Sequence, residues 1–235
     1  MNTTQTTAWS KEYKELSGIP TSVNKESSSS AKHFVKFLKS KNTTNGSMLD
    51  IGCGLGRNSI FLAQSGFKVW AFDIVEHALK NLEQEAEQLH LPIHTSIQSA
   101  SENWQYQDNF FDAALDICVF DNMVTKEMKN KYLHELRRVL KPGGYFCILA
   151  ILADDGYYAP LLEKSDKKDT YILHDPENDI WSSMLPKEDL RNLLAEFFEI
   201  VEVEDVKKKD VLMYGKKYDR SLARFIVHKP MKRVS

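Results

Sequence analysis

The sequence lacks the charge bias and the long apolar runs that mark several classes of protein. It has 33 acidic and 31 basic residues among 235, a net charge of −2, which gives no general attraction to nucleic acid or to anionic membranes. No apolar run approaches the roughly 18 residues that cross a bilayer, and the opening MNTTQTTAWSKEY has no apolar core of a signal peptide. We therefore expect a cytoplasmic protein with no membrane or nucleic-acid partner.

Disulfide and metal-binding patterns are missing as well. The three cysteines, Cys53, Cys118 and Cys147, are odd in number and have no metal-ligand spacing, and the seven histidines form no HExxH-type group. Few, unpaired thiols are typical of a reducing compartment. Asp154 and Asp155 are acids of a predicted loop, where acids are common, so we expect no metal.

From residue 48 onward, short apolar runs alternate with segments of helical periodicity. The helical segments are 57–64, 75–90 and 127–140, and the strand-like runs are 48–51, 68–72, 93–97, 111–118 and 145–152. This alternation predicts a parallel sheet with right-handed helical crossovers.

The end of the chain breaks the alternation. A helix that opens at Pro186 is followed by strands at 200–206 and 222–228 with no helix between them, so these two strands are expected to be antiparallel neighbours. The whole pattern predicts an α/β fold: a doubly wound, Rossmann-like, seven-stranded sheet, mostly parallel, with the last strand antiparallel. The basic clusters 207–209 and 216–217 are interpreted as solvated loop charges.

We divide the chain into an N-terminal helical or lid segment, residues 1–47, and a main domain, residues 48–235. Within the main domain, residues 153–185 are far longer than a connection in such a sheet requires. They contain Tyr157, Tyr158, Tyr171, His174 and Trp181. We expect this insertion and the N-terminal segment to cover a substrate, and the alternative is that their aromatic residues are ordinary core anchors.

The most informative segment is LDIGCGLGRNS at residues 49–59. Three alternate glycines between a strand and a helix let a ligand lie against bare backbone, near the free N–H groups of the helix. Dinucleotides are bound by GxGxxG, whereas the spacing here is GxGxG. Asp50 would repel a diphosphate and suits a cationic amino group. A tight turn without a ligand is the alternative.

A second acid, Asp73, ends the next predicted strand, 21 residues after Gly52. A carboxylate in this place can accept hydrogen bonds from both hydroxyls of a ribose. Alone it would equally suit a helix N-cap, but beside the glycine loop it favours a nucleoside ligand.

Together these segments resemble the class I S-adenosylmethionine-dependent methyltransferases. The resemblance covers about residues 48–152 and also fits the two-strand ending, and a narrower likeness over 56–73 is to the tellurite-resistance branch, which uses small substrates. The motifs are LDIGCGLGRNS (49–59), VWAFD (69–73), DNFFDAALD (108–116) and LRRVLKPGGYF (136–146). The resemblance implies a methyltransferase domain at 48–235, with S-adenosyl-L-methionine as cofactor and S-adenosyl-L-homocysteine as product.

The resemblance also implies where the methionine part of the cofactor lies. Asp50 and the glycine-loop backbone would hold it, and the end of the fourth strand would lie near its amino group and methyl. The implied residues on this side are Asp50, Gly52, Cys53, Gly54, Arg57, Asn58, Asp116, Ile117 and Cys118.

On the nucleoside side, the resemblance implies that Asp73 binds the ribose hydroxyls and that Ile74 packs on the adenine. Ser99, Ala100 and Ser101 would border the adenine edge. Many family members have an Asp at the position of Ser99, so the contact to the adenine amino group would fall to Ser99 or to a backbone group.

Methyl transfer from a sulfonium is an in-line displacement that depends mainly on positioning. A base is needed only where the nucleophile holds its proton tightly, so the catalytic residue is left open, with Asp121 and His174 as candidates. No NPPY-type sequence follows Cys118, which disfavours adenine or glutamine amino groups as acceptors.

We expect a small-molecule substrate. The alternatives are a protein or RNA methyltransferase, or a non-catalytic partner subunit with this fold. Monomer and dimer both remain open.

Overall fold

The computed structural model describes residues 3–16, 18–20, 25–167 and 170–231. The helices are α1 (Thr3–Glu15), α2 (Ser29–Ser40), α3 (Arg57–Gln64), α4 (Glu76–Gln88), α5 (Lys126–Val139), α6 (Ala159–Glu163) and α7 (Lys187–Ala195). The strands are β1 (Ser47–Ile51), β2 (Lys68–Asp73), β3 (Ile93–Ile97), β4 (Phe111–Ile117), β5 (Leu140–Ile151), β6 (Ile172–Asp175), β7 (Ile180–Ser183), β8 (Glu199–Met213) and β9 (Lys216–His228). Within these described ranges, no helix is long and apolar enough to span a bilayer.

Seven strands form the main sheet in the order β3-β2-β1-β4-β5-β9-β8. The strands β1 to β5 pair in parallel, whereas β9 is antiparallel to both of its neighbours. The predicted fold class is therefore confirmed. The strand order reverses between β1 and β4, and the crevice at such a switch point is where sheets of this kind bind ligands.

Helices cover both faces of the sheet, which explains why the central strands are apolar on both sides. In β1, Met48 packs into a core layer with α2, α3 and α4, and Leu49 packs into the opposite layer with α5 and α7. This sandwich fixes β1 between β2 and β4, so the carboxyl ends of these three strands meet at one edge.

The last two strands are longer than predicted. They form one hairpin whose turn is Tyr214 and Gly215, both with positive φ, as a tight two-residue hairpin turn requires. The basic clusters 207–209 and 216–217 lie within β8 and β9, so their interpretation as loop charges was wrong. Much of β8 there is solvent-exposed, and an exposed edge strand with lysines carries no alternating apolar signal.

The insertion, residues 153–185, has secondary structure of its own. Its described part contains α6 and a two-stranded antiparallel sheet of β6 and β7. Tyr157 and Tyr158 are buried in a small core with residues of the hairpin and of the β6–β7 sheet. These two tyrosines are anchors, which is the alternative interpretation that the sequence left open for the insertion's aromatic residues.

A buried ion pair ties the insertion to β9. The Nε of Arg220 donates to Oδ2 of Asp155 over 2.7 Å, and the backbone N–H of Ser221 donates to the same oxygen over 2.9 Å. The other oxygen accepts from the N–H of Tyr157 over 3.1 Å. The Asp155 side chain is fully buried and that of Arg220 nearly so, so each charge depends on its partner.

We predict that Asp155→Asn destabilises the protein by about 3–5 kcal/mol, because it leaves the Arg220 charge buried without its counter-ion. Urea unfolding measures the difference. The matched control is Asp205→Asn, which breaks the exposed pair with Lys187 and should cost only about 0–1 kcal/mol. Equal losses in the two variants would contradict this account.

Candidate functional site

A cavity of about 730 Å³ opens at the carboxyl ends of β1, β2 and β4. Its walls come from the glycine loop, the loop after β3, the turn after β4, α1 and the insertion. The predicted cofactor residues on these walls are Asp50, Gly52, Cys53, Gly54, Arg57, Asn58, Asp73, Ile74, Ser99, Ala100, Ser101, Ile117 and Cys118. The parallel sheet thus brings together residues that lie up to 68 positions apart in the sequence.

The glycine loop needs glycine for two reasons. Gly52 and Gly54 have φ of 58° and 56°, a region that side chains other than glycine rarely adopt. A Cβ on Gly52 would also lie 2.6 Å from a methyl of Val119. The loop is therefore pressed against the turn that follows β4, and both contribute bare backbone to the cavity.

Asp50 lies beneath the glycine loop. Its Oδ2 accepts a hydrogen bond of 2.6 Å from the hydroxyl of Ser59, in the first turns of α3. Burial raises the pKa of Asp50 to about 7, partly offset by this hydrogen bond. A cationic ligand group in the cavity would restore the charge of this carboxylate.

Asp73 joins the end of β2 to the glycine loop. Its two oxygens accept hydrogen bonds of 2.9 Å from the N–H groups of Gly54 and Val75. Burial raises the pKa of Asp73 to about 6, and the backbone donors and the hydroxyl of Tyr13 act in the opposite direction. Tyr13 belongs to α1, so a side chain from outside the sheet donates to the carboxylate expected to bind the ribose.

The structure corrects the expected position of Asp116. This side chain is fully buried beneath the cavity wall, and its oxygens accept from the N–H groups of Val119 and Phe120 and from the hydroxyl of Tyr132. Burial raises its pKa to about 7. Asp116 shapes the turn that presents Cys118, whose φ is 62°, instead of lining the cavity.

The residues predicted to border the adenine edge include two serines that are hydrogen-bonded to each other. The hydroxyls of Ser99 and Ser101 lie 2.9 Å apart, and the N–H of Ser101 donates to Ser99 Oγ. Both line the cavity, so two hydroxyl groups border this part of it.

The two catalytic candidates lie in different places. Asp121 is buried, accepts a hydrogen bond from the N–H of Ile151 over 3.0 Å, and lines a smaller adjoining cavity. His174 pairs with Asp179 at 2.7 Å, and its ring centroid lies 5.0 Å from that of Trp181. His174 is absent from the walls of both cavities, although it lies beside Trp181, its partner in the β6–β7 pairing, which lines the larger one.

Several cavity residues were missed by the sequence reasoning. They are Gln5, Thr6, Lys25, Leu55, Ile60, Phe72, Asn81, Glu85, Gln98, Val119, Asn122, Met123, Val124, Thr125, Met128 and Lys167. Most lie on α1, on α4 or in the turn after β4, where no motif marks them. The available signal was the pair Trp9 and Tyr13 at helical spacing within a polar segment, and both line the cavity.

Comparison with known proteins agrees with this geometry. Residues 49–148 match the family described as a methyltransferase domain. The chain is 29% identical over 114 residues to the probable S-adenosyl-L-methionine-dependent methyltransferase TehB of Haemophilus influenzae, covering 48% of this chain and 39% of TehB. It is 30% identical over 107 residues to the tRNA (carboxymethyluridine(34)-5-O)-methyltransferase of Arabidopsis thaliana, covering 46% and 24%. The match thus spans less than half of either relative.

Among solved structures, the fold is shared with the 1,6-didemethyltoxoflavin-N1-methyltransferase of Burkholderia thailandensis, which has S-adenosylhomocysteine bound. The TM-score is 0.73 at 16% identity, over 97% of this chain and 88% of the other. Over residues 49–148 this chain is thus similar to class I S-adenosylmethionine-dependent methyltransferases, and the comparisons support S-adenosyl-L-methionine as the cofactor. Within that class it is similar to the TehB branch.

We predict that Asp73→Ala weakens binding of S-adenosylhomocysteine by about one to two orders of magnitude, because each hydrogen bond to a charged group contributes about 1.5–3 kcal/mol. Calorimetry measures the affinity. Tyr13→Phe is the control: it removes a hydroxyl that competes for Asp73, so affinity should hold or rise. A loss as large in Tyr13→Phe would mean that Tyr13 binds the ligand itself.

We also predict that binding of S-adenosylhomocysteine releases protons near pH 6.5, because its amino group and ribose hydroxyls favour the ionised forms of Asp50 and Asp73. Calorimetry in buffers of different ionisation enthalpy counts these protons, and Asp50→Asn should lower the count. Affinity should rise from pH 5 to pH 8. Equal affinity across this range, with no proton release, would contradict the role of both carboxylates.

The same raised pKa values predict the pH dependence of the unliganded fold. Between about pH 4 and pH 7 the native state holds more protons on Asp50, Asp73 and Asp116 than the unfolded chain does. The contribution of these groups to the free energy of unfolding is therefore greatest at low pH and is lost as the pH rises through 6 to 7. Urea unfolding of Asp50→Asn should show a weaker pH dependence than the parent protein.

Proposed function

We propose that this protein transfers the methyl group of S-adenosyl-L-methionine to a small molecule. The observation that carries the proposal is the covering of the cavity by two elements outside the matched domain. Trp9 and Tyr13 of α1, with Lys167 and Trp181 of the insertion, line the same cavity as the glycine loop. A polymeric substrate would call for an open groove, whereas a cover excludes water around a compact one.

The size of the cavity supports this reading. Its volume of about 730 Å³ lies within the range of about 300–1,000 Å³ that is usual for small-molecule sites. Trp181 is further held by Lys167, whose Nζ lies 4.8 Å from the ring centroid. A rigid aromatic wall of this kind suits a ring-bearing or apolar acceptor.

When bound, S-adenosyl-L-methionine supplies an activated methyl on a sulfonium. The protein then needs to hold the acceptor atom, the methyl and the sulfur in line and to exclude water. Asp50 and the glycine loop would orient the methionine part, and Asp73 would fix the ribose. The turn shaped by Asp116 would set the wall beside the reacting groups through Cys118.

The relatives divide on the substrate, since one acts on tRNA and a structural neighbour methylates didemethyltoxoflavin. The matched family segment, residues 49–148, excludes α1 and the insertion, so the likeness reflects the cofactor half of the site. The net charge of −2 provides no general electrostatic attraction to RNA. We further propose a cytoplasmic location, since the three cysteines are free thiols.

We predict that production of S-adenosylhomocysteine responds to a pool of small metabolites and not to peptide or RNA pools. Trp181→Ala should lower this turnover about tenfold or more, because it removes an aromatic wall of the acceptor side, while S-adenosylhomocysteine still binds. Glu177→Ala, at an exposed position of the turn between β6 and β7 that lines neither cavity, is the control and should retain turnover. A response to RNA alone, or a larger loss in Glu177→Ala, would refute the proposal.

A further inference from the structure

A second, smaller cavity of about 90 Å³ adjoins the first. The two share the side chains of Trp9, Arg57 and Cys118 among their walls. The smaller one lies between the carboxyl ends of β4 and β5 and the β6–β7 sheet of the insertion. A molecule in the larger cavity therefore borders the smaller one where the turn after β4 separates them.

The smaller cavity contains a buried carboxylate oxygen without a partner. Asp175 ends β6 on the wall of this cavity and is 1% exposed. Its Oδ1 accepts from the hydroxyl of Tyr157 over 2.8 Å and from the N–H of Glu177 over 3.0 Å. Its Oδ2 is buried and has no hydrogen-bond partner among the described residues.

Such an oxygen calls for an explanation, since burying an acceptor without a donor is costly and rare. Arg220, a cation on the cavity wall, does not supply one. Arg220 directs its Nε to Asp155 and one terminal nitrogen to the sulfur of Met213. The missing donor is therefore expected to come from a bound molecule.

The other residues on the cavity walls indicate the chemistry of that molecule. Their surface is mostly apolar, with Ile117, Leu149, Ile151, Met184, Met213 and Leu222 among them, and the charged residues Arg57, Asp121, Lys208 and Arg220 also line the cavity. The cavity is smaller than the engineered apolar cavity of about 150 Å³ that holds benzene. It would admit one small ring or substituent, with the rest of the molecule in the larger cavity.

We propose that this smaller cavity is the subsite for the methyl acceptor, and that Asp175 Oδ2 accepts a hydrogen bond from an N–H or O–H group of that acceptor. This inference rests on the proposed function. The substrate class is a compact, mostly apolar molecule that carries one such donor, for example a nitrogen heterocycle or a phenol. Asp175 then selects the acceptor and fixes its orientation toward the wall at Cys118.

The test uses pyrrole, which has an N–H donor, and furan, which has nearly the same shape and none. Protein with methyl-labelled methionines is titrated with each probe, with and without S-adenosylhomocysteine, and the shifts of Met184 and Met213 report the smaller cavity. Pyrrole should bind about tenfold or more tightly than furan. Equal affinities, tighter binding of furan, or no shift at either methionine would overturn the proposal.

Asp175→Asn sharpens the test, because the amide oxygen can keep the contacts to Tyr157 and Glu177 while the NH₂ group replaces Oδ2. The preference for pyrrole should disappear in this variant and persist in Asp179→Asn, an exposed acid of the turn between β6 and β7. Persistence in Asp175→Asn would assign the selectivity elsewhere. If the variant does not fold, the comparison of the two probes in the parent protein still decides.

Calorimetry with S-adenosylhomocysteine is performed on the same samples. Absence of S-adenosylhomocysteine binding would defeat the proposed function, whatever the probes do. Binding of S-adenosylhomocysteine without preference for pyrrole would defeat the acceptor subsite alone.

Discussion

Three buried carboxylates at the ends of three adjacent parallel strands determine the organisation of the site. Asp50 on β1, Asp73 on β2 and Asp116 on β4 lie side by side because β1 pairs with both neighbours. Each carboxylate accepts a hydrogen bond from a segment that follows one of these strands: from a hydroxyl of α3 for Asp50, from the glycine loop for Asp73, and from the turn after β4 for Asp116. Burial raises all three pKa values to about 6–7, so the unliganded site is electrostatically unfavourable at neutral pH and a cationic, donor-rich ligand relieves it.

The cover depends on a different kind of interaction. The insertion is held by the ion pair of Asp155 with Arg220 and by the aromatic core around Tyr157 and Tyr158. Through these contacts the insertion packs against the long β8–β9 hairpin at the end of the sheet. The insertion therefore has its own support, whereas α1 contacts the cofactor half directly through the hydrogen bond of Tyr13 with Asp73.

The cofactor half could be predicted from sequence because its residues follow strand ends at fixed spacing. A parallel sheet brings such positions together whatever separates them along the chain, so Asp50, Asp73 and Cys118 line one cavity. Asp116 was misplaced because periodicity does not tell whether a carboxylate faces the cavity or caps the turn beneath it. The lengths of β8 and β9 were underestimated because the far end of their hairpin is exposed and lacks an apolar face. His174 was chosen for its chemistry, which does not show whether its ring reaches a cavity wall.

The acceptor side could not be derived in this way, for a physical reason. Its residues come from α1, β6 and β9, elements whose relative placement is set by tertiary contacts and not by strand order. Asp175 illustrates this point: in sequence it is one acid in a polar stretch, and only the contacts of Oδ1 with Tyr157 and Glu177 leave Oδ2 buried and unpaired. The buried carboxylate is stable in the fold because Oδ1 accepts two hydrogen bonds. The unsatisfied side is then available for selection of a ligand, at a free-energy cost that a matching N–H or O–H group offsets.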